Sequence, residues 1–141
     1  MVVHSKDSAF TLTDVGTTER IVARVTAIDG LPGEAELIED TPIAQAYRTH
    51  TRGLESGEFT VEGLWDDTAN VGPDVVLGGL KTDDTARTYE FGPEGSGSSD
   101  VRYTGTCKLR NYSIGVRVGE MVSFRATFVK QSAVTRDTFG A

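Results

Sequence analysis

The sequence predicts a mainly β protein: two packed antiparallel sheets, a β-sandwich or barrel, with one short flanking α-helix. Three observations lead there. Polar and apolar residues alternate at strand period over "GEFTVEGLW" (57–65), "VRYTGTCKL" (101–109) and "MVSFRATFVK" (121–130). Turn-forming clusters such as "DGLPGE" (29–34) and "PEGSGSSD" (93–100) punctuate the chain. One stretch alone reads as helix. The 141 residues suit a single domain over 1–141, and 38% hydrophobic with 25% charged residues is a globular balance.

In chain order, "SAFTLTD" (8–14) has strand composition and "RIVARVTAI" (20–28) is the strongest early strand, rich in Val, Ile and Thr. "EAELIED" (34–40) is an acidic strand candidate. From Thr41 to Ser56 no period persists, so the segment reads as a long excursion of the kind that carries function or is ordered by a partner. After the strand at 57–65, Pro73 at a first-turn position, with Asp74 beside it and Val75, Val76, Leu77 and Leu80 behind, predicts the helix, which Gly78 and Gly79 keep short. "ARTYEFG" (86–92) is a strand, "YSIGVRVG" (112–119) a strand and turn, and "QSAVTRDTFGA" a polar tail.

The net charge of −7 argues against a protein that grips nucleic acid through a basic stripe. Charge is unevenly spread: residues 1–100 carry a balance of −12 and residues 101–141 one of +5. Either the two regions neutralise each other within one chain, or an acidic region of one copy meets a basic region of the next, head to tail. No apolar run has the length of a membrane span, and "MVVHSKDSAF" lacks the apolar stretch of a signal peptide, so the expected site of synthesis is a cytoplasm. The lone Cys107 excludes an internal disulfide and, in a strand core, is inert.

Signals of chemistry are thin. His4 and His50 are the only histidines, and Cys107 has no neighbouring His in sequence. "GPEGSGSSD" is glycine-rich, yet a strand follows it, so it lacks the helix N-terminus that holds phosphate. A calcium loop counted from Asp66 needs Gly and Glu where Val71 and Leu77 stand. No catalytic residue, metal or cofactor is expected. One pattern does raise a question. Phe59, Val61 and Trp65 share one side of the strand 57–65, and Glu58, Thr60 and Glu62 share the other. That acidic row either meets bulk water or lines a surface that must not hold on to something negative.

The order "AIDGLPGEAEL", "RGLESGEFTVEGLWDD", "GPDVVLGGL", "YEFGPEG" and "VRYTGTCKLRNYSIGVRVGEMVSFRATFVKQSAVTRDTF" resembles the tail tube protein (major tail protein) of long-tailed bacteriophages, from about Val15 to Phe139. Each piece is a weak motif, and their order carries the likeness.

The resemblance implies a structural, non-enzymatic protein of the virion tail, assembled in the host bacterial cytoplasm. Hexameric rings of it stack into a tube through which DNA passes without specific binding. Implied partners are other copies of the chain, a tail terminator, a tape measure protein and distal tail proteins, with no membrane. It also implies inter-ring contacts through an N-terminal arm (1–13), the loop 41–56 with Tyr47, Arg48, His50 and Arg52, and a C-terminal arm (131–141). Under this reading Glu34, Glu36, Glu58, Thr60 and Glu62 face the channel, where carboxylates keep DNA from adhering within the short reach of unscreened charge. The alternatives are a tail terminator, a capsid-decorating protein, a carbohydrate-binding sandwich and, weakest, a hydrolase.

Overall fold

A computed structural model of the chain describes residues 8–16, 19–22, 24–44, 46–69 and 72–140, with backbone alone at 21, 34–36 and 53–56. The described strands are β1 (Ala9–Thr13), β2 (Glu19–Ile21), β3 (Val25–Asp29), β4 (Glu34–Glu39), β5 (His50–Ser56), β6 (Glu58–Leu64), β7 (Arg87–Gly92), β8 (Val101–Gly115), β9 (Ser123–Lys130) and β10 (Thr135–Thr138). A helix α1 (Pro73–Leu77) and a 3-10 turn (Leu80–Thr82) lie between β6 and β7.

Eight strands form one antiparallel sheet in the order β2-β1-β7-β8-β9-β6-β3, with β10 also on β8; β4 and β5 pair separately. The two packed layers are halves of the large sheet. Phe10 on β1 lies 6.1 Å from Phe59 on β6 and 6.3 Å from Phe128 on β9, although β7, β8 and β9 stand between β1 and β6 in the sheet. The sheet therefore curls until its ends face each other. Phe59 stacks on Phe128 at 5.0 Å and meets Tyr89 of β7 at 4.9 Å, forming the centre of the core. Each such side chain contributes roughly 1.5–3 kcal/mol when withdrawn from water.

The alternation read from 57–65 is the one observed: Phe59 and Val61 are buried while Glu58 is exposed. Trp65 lies past the end of β6, half-buried beside Tyr112, whose hydroxyl donates to Asp74 at 2.9 Å and ties α1 to β8. Pro73 opens α1, and Pro73, Val76 and Leu77 bury its inner side.

Four segments depart from the sequence reading. The strand expected over 20–28 is two strands, β2 and β3, on opposite edges of the sheet. Arg24 between them takes a φ of 62°, a left-handed turn that lets the chain cross from one layer to the other. The strands expected at 101–109 and 112–119 are one strand, β8, with a bulge between Leu109 and Asn111. The extra residue, Arg110, shifts the side-chain phase, so Leu109 and Tyr112 both pack toward the core. The excursion at 41–56 contains β5, paired with β4. The polar tail contains β10, paired with β8 through Thr135–Thr104 and Asp137–Arg102.

Candidate functional site

The outer surface of the layer β3-β6-β9-β8 is built from three cross-strand rows. Glu62 sits opposite Arg125, which sits opposite Ser113; Thr60 opposite Thr127 and then Asn111; Glu58 opposite Val129 and then Lys108. Ala27 and Asp29 of β3 extend the Glu62 and Thr60 rows. The acidic row does not stand alone. Arg110, thrown outward by the β8 bulge, is hydrogen-bonded to Glu58, and Arg125 Nε lies 3.4 Å from Glu62 Oε1. Counting Asp29 and Lys108, three carboxylates share this surface with three cations. Exposed pairs of this kind add little stability, so their consequence is cancellation of charge.

The same exchange bears on the uneven charge. Arg102 reaches Glu90, Lys108 reaches Asp84, Arg110 reaches Glu58 and Arg125 reaches Glu62. Four of the seven Lys and Arg residues in 101–141 thus meet acids of residues 1–100 inside one chain.

Glu34 and Glu36 are placed elsewhere. Their strand, β4, pairs with β5 and does not join the sheet that contains β6, and their side chains lie outside the described residues. The cause is the turn at 30–33, where Gly30 and Gly33 both adopt φ of 96° and carry the chain off the sheet. Lys130, 7% exposed, fastens that turn: its ammonium donates to Gly30 O at 3.0 Å and Pro32 O at 2.8 Å.

The β4–β5 hairpin holds the residues singled out in the long loop. Tyr47, Arg48, His50 and Arg52 are exposed, His50 pairing with Glu39 and Arg52 with Leu37 across the hairpin. Its end is ordered by its own hydrogen bonds. Asp40 N donates to Thr49 O at 3.0 Å, Thr49 N to Thr41 Oγ1 at 2.9 Å, and the Thr49 and Thr51 hydroxyls donate to the Asp40 carboxylate. Those hydroxyls, Thr51 foremost, hold the Asp40 carboxyl below its ordinary pKa. The hairpin presents Leu37, Ile38, Ile43 and Tyr47 to solvent.

Parts of both expected arms pair within this chain. Within 1–13, residues 9–13 form a core strand because Phe10 and Leu12 are buried against the opposite layer, and residues 1–7 lie outside the described residues. Within 131–141, Thr135–Thr138 pairs with β8 of the same chain.

Two features escaped sequence reasoning. One is a pair of open strand edges. β7 pairs with β8 only as far as Cys107, so among the described residues the 108–115 half of β8 has β9 on one side and no strand on the other. β3 likewise has β6 on one side only. The other is the exposed β8–β9 turn, with Ile114, Val116, Val118 and Met121 at the surface. Cys107 is buried and its thiol is pushed up to about 12 by desolvation, which removes it as a nucleophile. No described helix is long and apolar enough to cross a membrane.

No protein-family model and no curated protein matches the chain. Solved structures do. A chain in the tail of an empty gene transfer agent particle, determined with C6 symmetry, superposes with a TM-score of 0.74 at 14% identity, covering 97% of this chain and 100% of that one. A chain in the sheath/tube terminator of the PVC extracellular contractile injection system in its extended state gives 0.69 at 8% identity, covering 98% of each. One in the PVC sheath-tube complex gives 0.68 at 7% identity, covering 97% of this chain and 92% of that one. The fold is that of tail tube proteins, over nearly the whole chain.

Proposed function

We propose that this chain is a structural tail tube subunit, which closes into six-membered rings that stack into a hollow tube. The observation that carries the reading is the pair of open edges on one layer, β3 on one side and residues 108–115 of β8 on the other. Unpaired strand edges template further pairing, and a ring in which β3 of one copy meets β8 of the next removes both of these. The C6 symmetry of the gene transfer agent tail supports six copies per turn.

In such a ring the surface of Glu58, Thr60 and Glu62 faces the bore. Its carboxylates work by occupying the arginines beside them: Arg110 and Arg125, engaged with Glu58 and Glu62, are withheld from the phosphates of passing DNA. A lining of matched charge leaves no adhesive minimum along the path. The hairpin with Tyr47, Arg48, His50 and Arg52, and the chain termini, bridge adjacent rings, and tail proteins such as a terminator and a tape measure complete the particle.

Electron microscopy of the concentrated protein tests this. Hollow filaments are expected. The likeness to the tube-terminating cap of the anti-feeding prophage, with a TM-score of 0.67, supports a second reading as a terminator. A terminator gives single rings at every concentration, which separates the two.

A further inference from the structure

Four charged side chains meet on the outer face of the layer β2-β1-β7-β8. Arg102 of β8 gives its fork to Asp137 of β10 and reaches Glu90 of β7 at 3.4 Å. Glu90 is hydrogen-bonded in turn to Glu19 of β2. The register explains the meeting. Phe10 and Leu12 of β1 point into the core, so Thr11 and Thr13 point outward; Thr11 pairs with Glu90 and Thr13 with Glu19. The two glutamates therefore reach toward each other diagonally over β1, and Thr11 between their strands is only 7% exposed. β1 puts no charge on this face, and Arg20 of β2 lies 2.6 Å from Asp14.

Three carboxyl groups share one guanidinium here, and two of them touch. Carboxyl groups hydrogen-bond to each other only while one keeps its proton. Glu90, its side chain 15% exposed, is the one that keeps it. Burial, then the hydrogen bond and charge of Glu19, push its pKa up to about 7 against the pull of Arg102, with the charge of Asp137 also raising it. Once that proton leaves, two carboxylates face each other across β1. β2 is the part able to yield, because it is three residues long and pairs with β1 alone among the described strands. Beyond it Val22 is 5% exposed and its amide donates to Phe10 O at 2.9 Å, which anchors the chain where β2 ends.

We infer that Glu19 and Glu90 form a proton-operated latch: the proton between them holds the edge strand β2 in the sheet, and its loss opens β2 without unfolding the rest. The latch acts within one chain and stands or falls independently of what the chain assembles into. β2 is closed in acid and opens as pH rises through about 7. Opening leaves the outer edge of β1 bare, where another strand can pair.

Amide exchange of the full chain, corrected for the intrinsic effect of pH on exchange, tests it at pH 5 and pH 8 with and without low urea. Protection over 19–21 should fall by roughly tenfold or more between the two pH values. At pH 8 exchange there should be insensitive to urea, as a local opening is, while exchange over 58–64 quickens with urea. Glu90→Gln carries a donor at every pH and should keep 19–21 protected at pH 8. Glu19→Gln donates to the ionised Glu90 and should do the same. Glu19→Ala changes an exposed residue, so it should fold, and it should leave 19–21 poorly protected at both pH values. Equal protection of the wild type at pH 5 and pH 8 overturns the latch. Urea sensitivity over 19–21 that matches 58–64 shows that β2 opens only with the whole fold, and also overturns it. So does a pH-dependent loss that survives in both Gln variants.

Discussion

Arg102 grips Asp137 with two parallel hydrogen bonds, Nε to Oδ1 and Nη2 to Oδ2, each 2.6 Å long. The pair ties β10 to the start of β8, and the same guanidinium lies over the ring of Phe139. Lysine cannot reproduce the planar fork. Arg102→Lys should therefore lower the melting temperature by a few degrees and raise amide exchange selectively over 135–138, measured by hydrogen–deuterium exchange.

Glu90 meets the other side of Arg102, at 3.4 Å. Burial pushes its pKa up to about 7, helped by a hydrogen bond and charge from Glu19 on β2 and by the charge of Asp137 on β10, against the opposing pull of Arg102. The folded chain thus binds this proton more tightly than the unfolded chain. Its contribution to stability is complete below the ordinary carboxylate range and is lost as pH rises through about 7. Melting temperature should fall between pH 5 and pH 8, and Glu90→Gln should flatten that slope. An unchanged slope in Glu90→Gln removes Glu90 as its source.

Phe128 is fully buried and stacks on Phe59, its cross-strand neighbour on β6. Phe128→Ala should cost about 3–5 kcal/mol in urea unfolding, a large share of the roughly 5–15 kcal/mol that holds such a domain together. Lys130→Met removes the donor to Gly30 O and Pro32 O at the hairpin base. It should cost about 1–3 kcal/mol and increase exchange throughout 34–56.

Glu58→Gln with Glu62→Gln releases Arg110 and Arg125 without adding bulk. Assembled double-variant tubes should retain DNA that wild-type tubes let pass, with retention falling steeply as salt rises. Equal, weak retention by both would show that these pairs do not govern adhesion.

The core was legible in the sequence wherever a strand buries one face. Phe59 and Val61, Phe124 and Phe128, and Cys107 and Leu109 fell in register because the pleat places alternate residues on one side. β5 and β10 were illegible for the converse reason: "HTRGLES" and "TRDT" carry no apolar alternation. Backbone pairing and, for β10, the Arg102–Asp137 fork define them. The acidic row of β6 was legible, but its arginine partners were not, because they arrive from β8 and β9, 52 and 63 residues further along the chain, and one rides on a bulge. The open edges follow from topology, which local pattern does not encode.

The most direct test of the central claim is a helical reconstruction of the assembled protein by electron cryomicroscopy. The account expects six copies per ring, β3 of each copy hydrogen-bonded to the 108–115 half of β8 in its neighbour, and Glu58, Thr60 and Glu62 on the wall of a continuous bore. A protein that stays monomeric at every concentration, or an assembly that places this row on its outer surface, would contradict it.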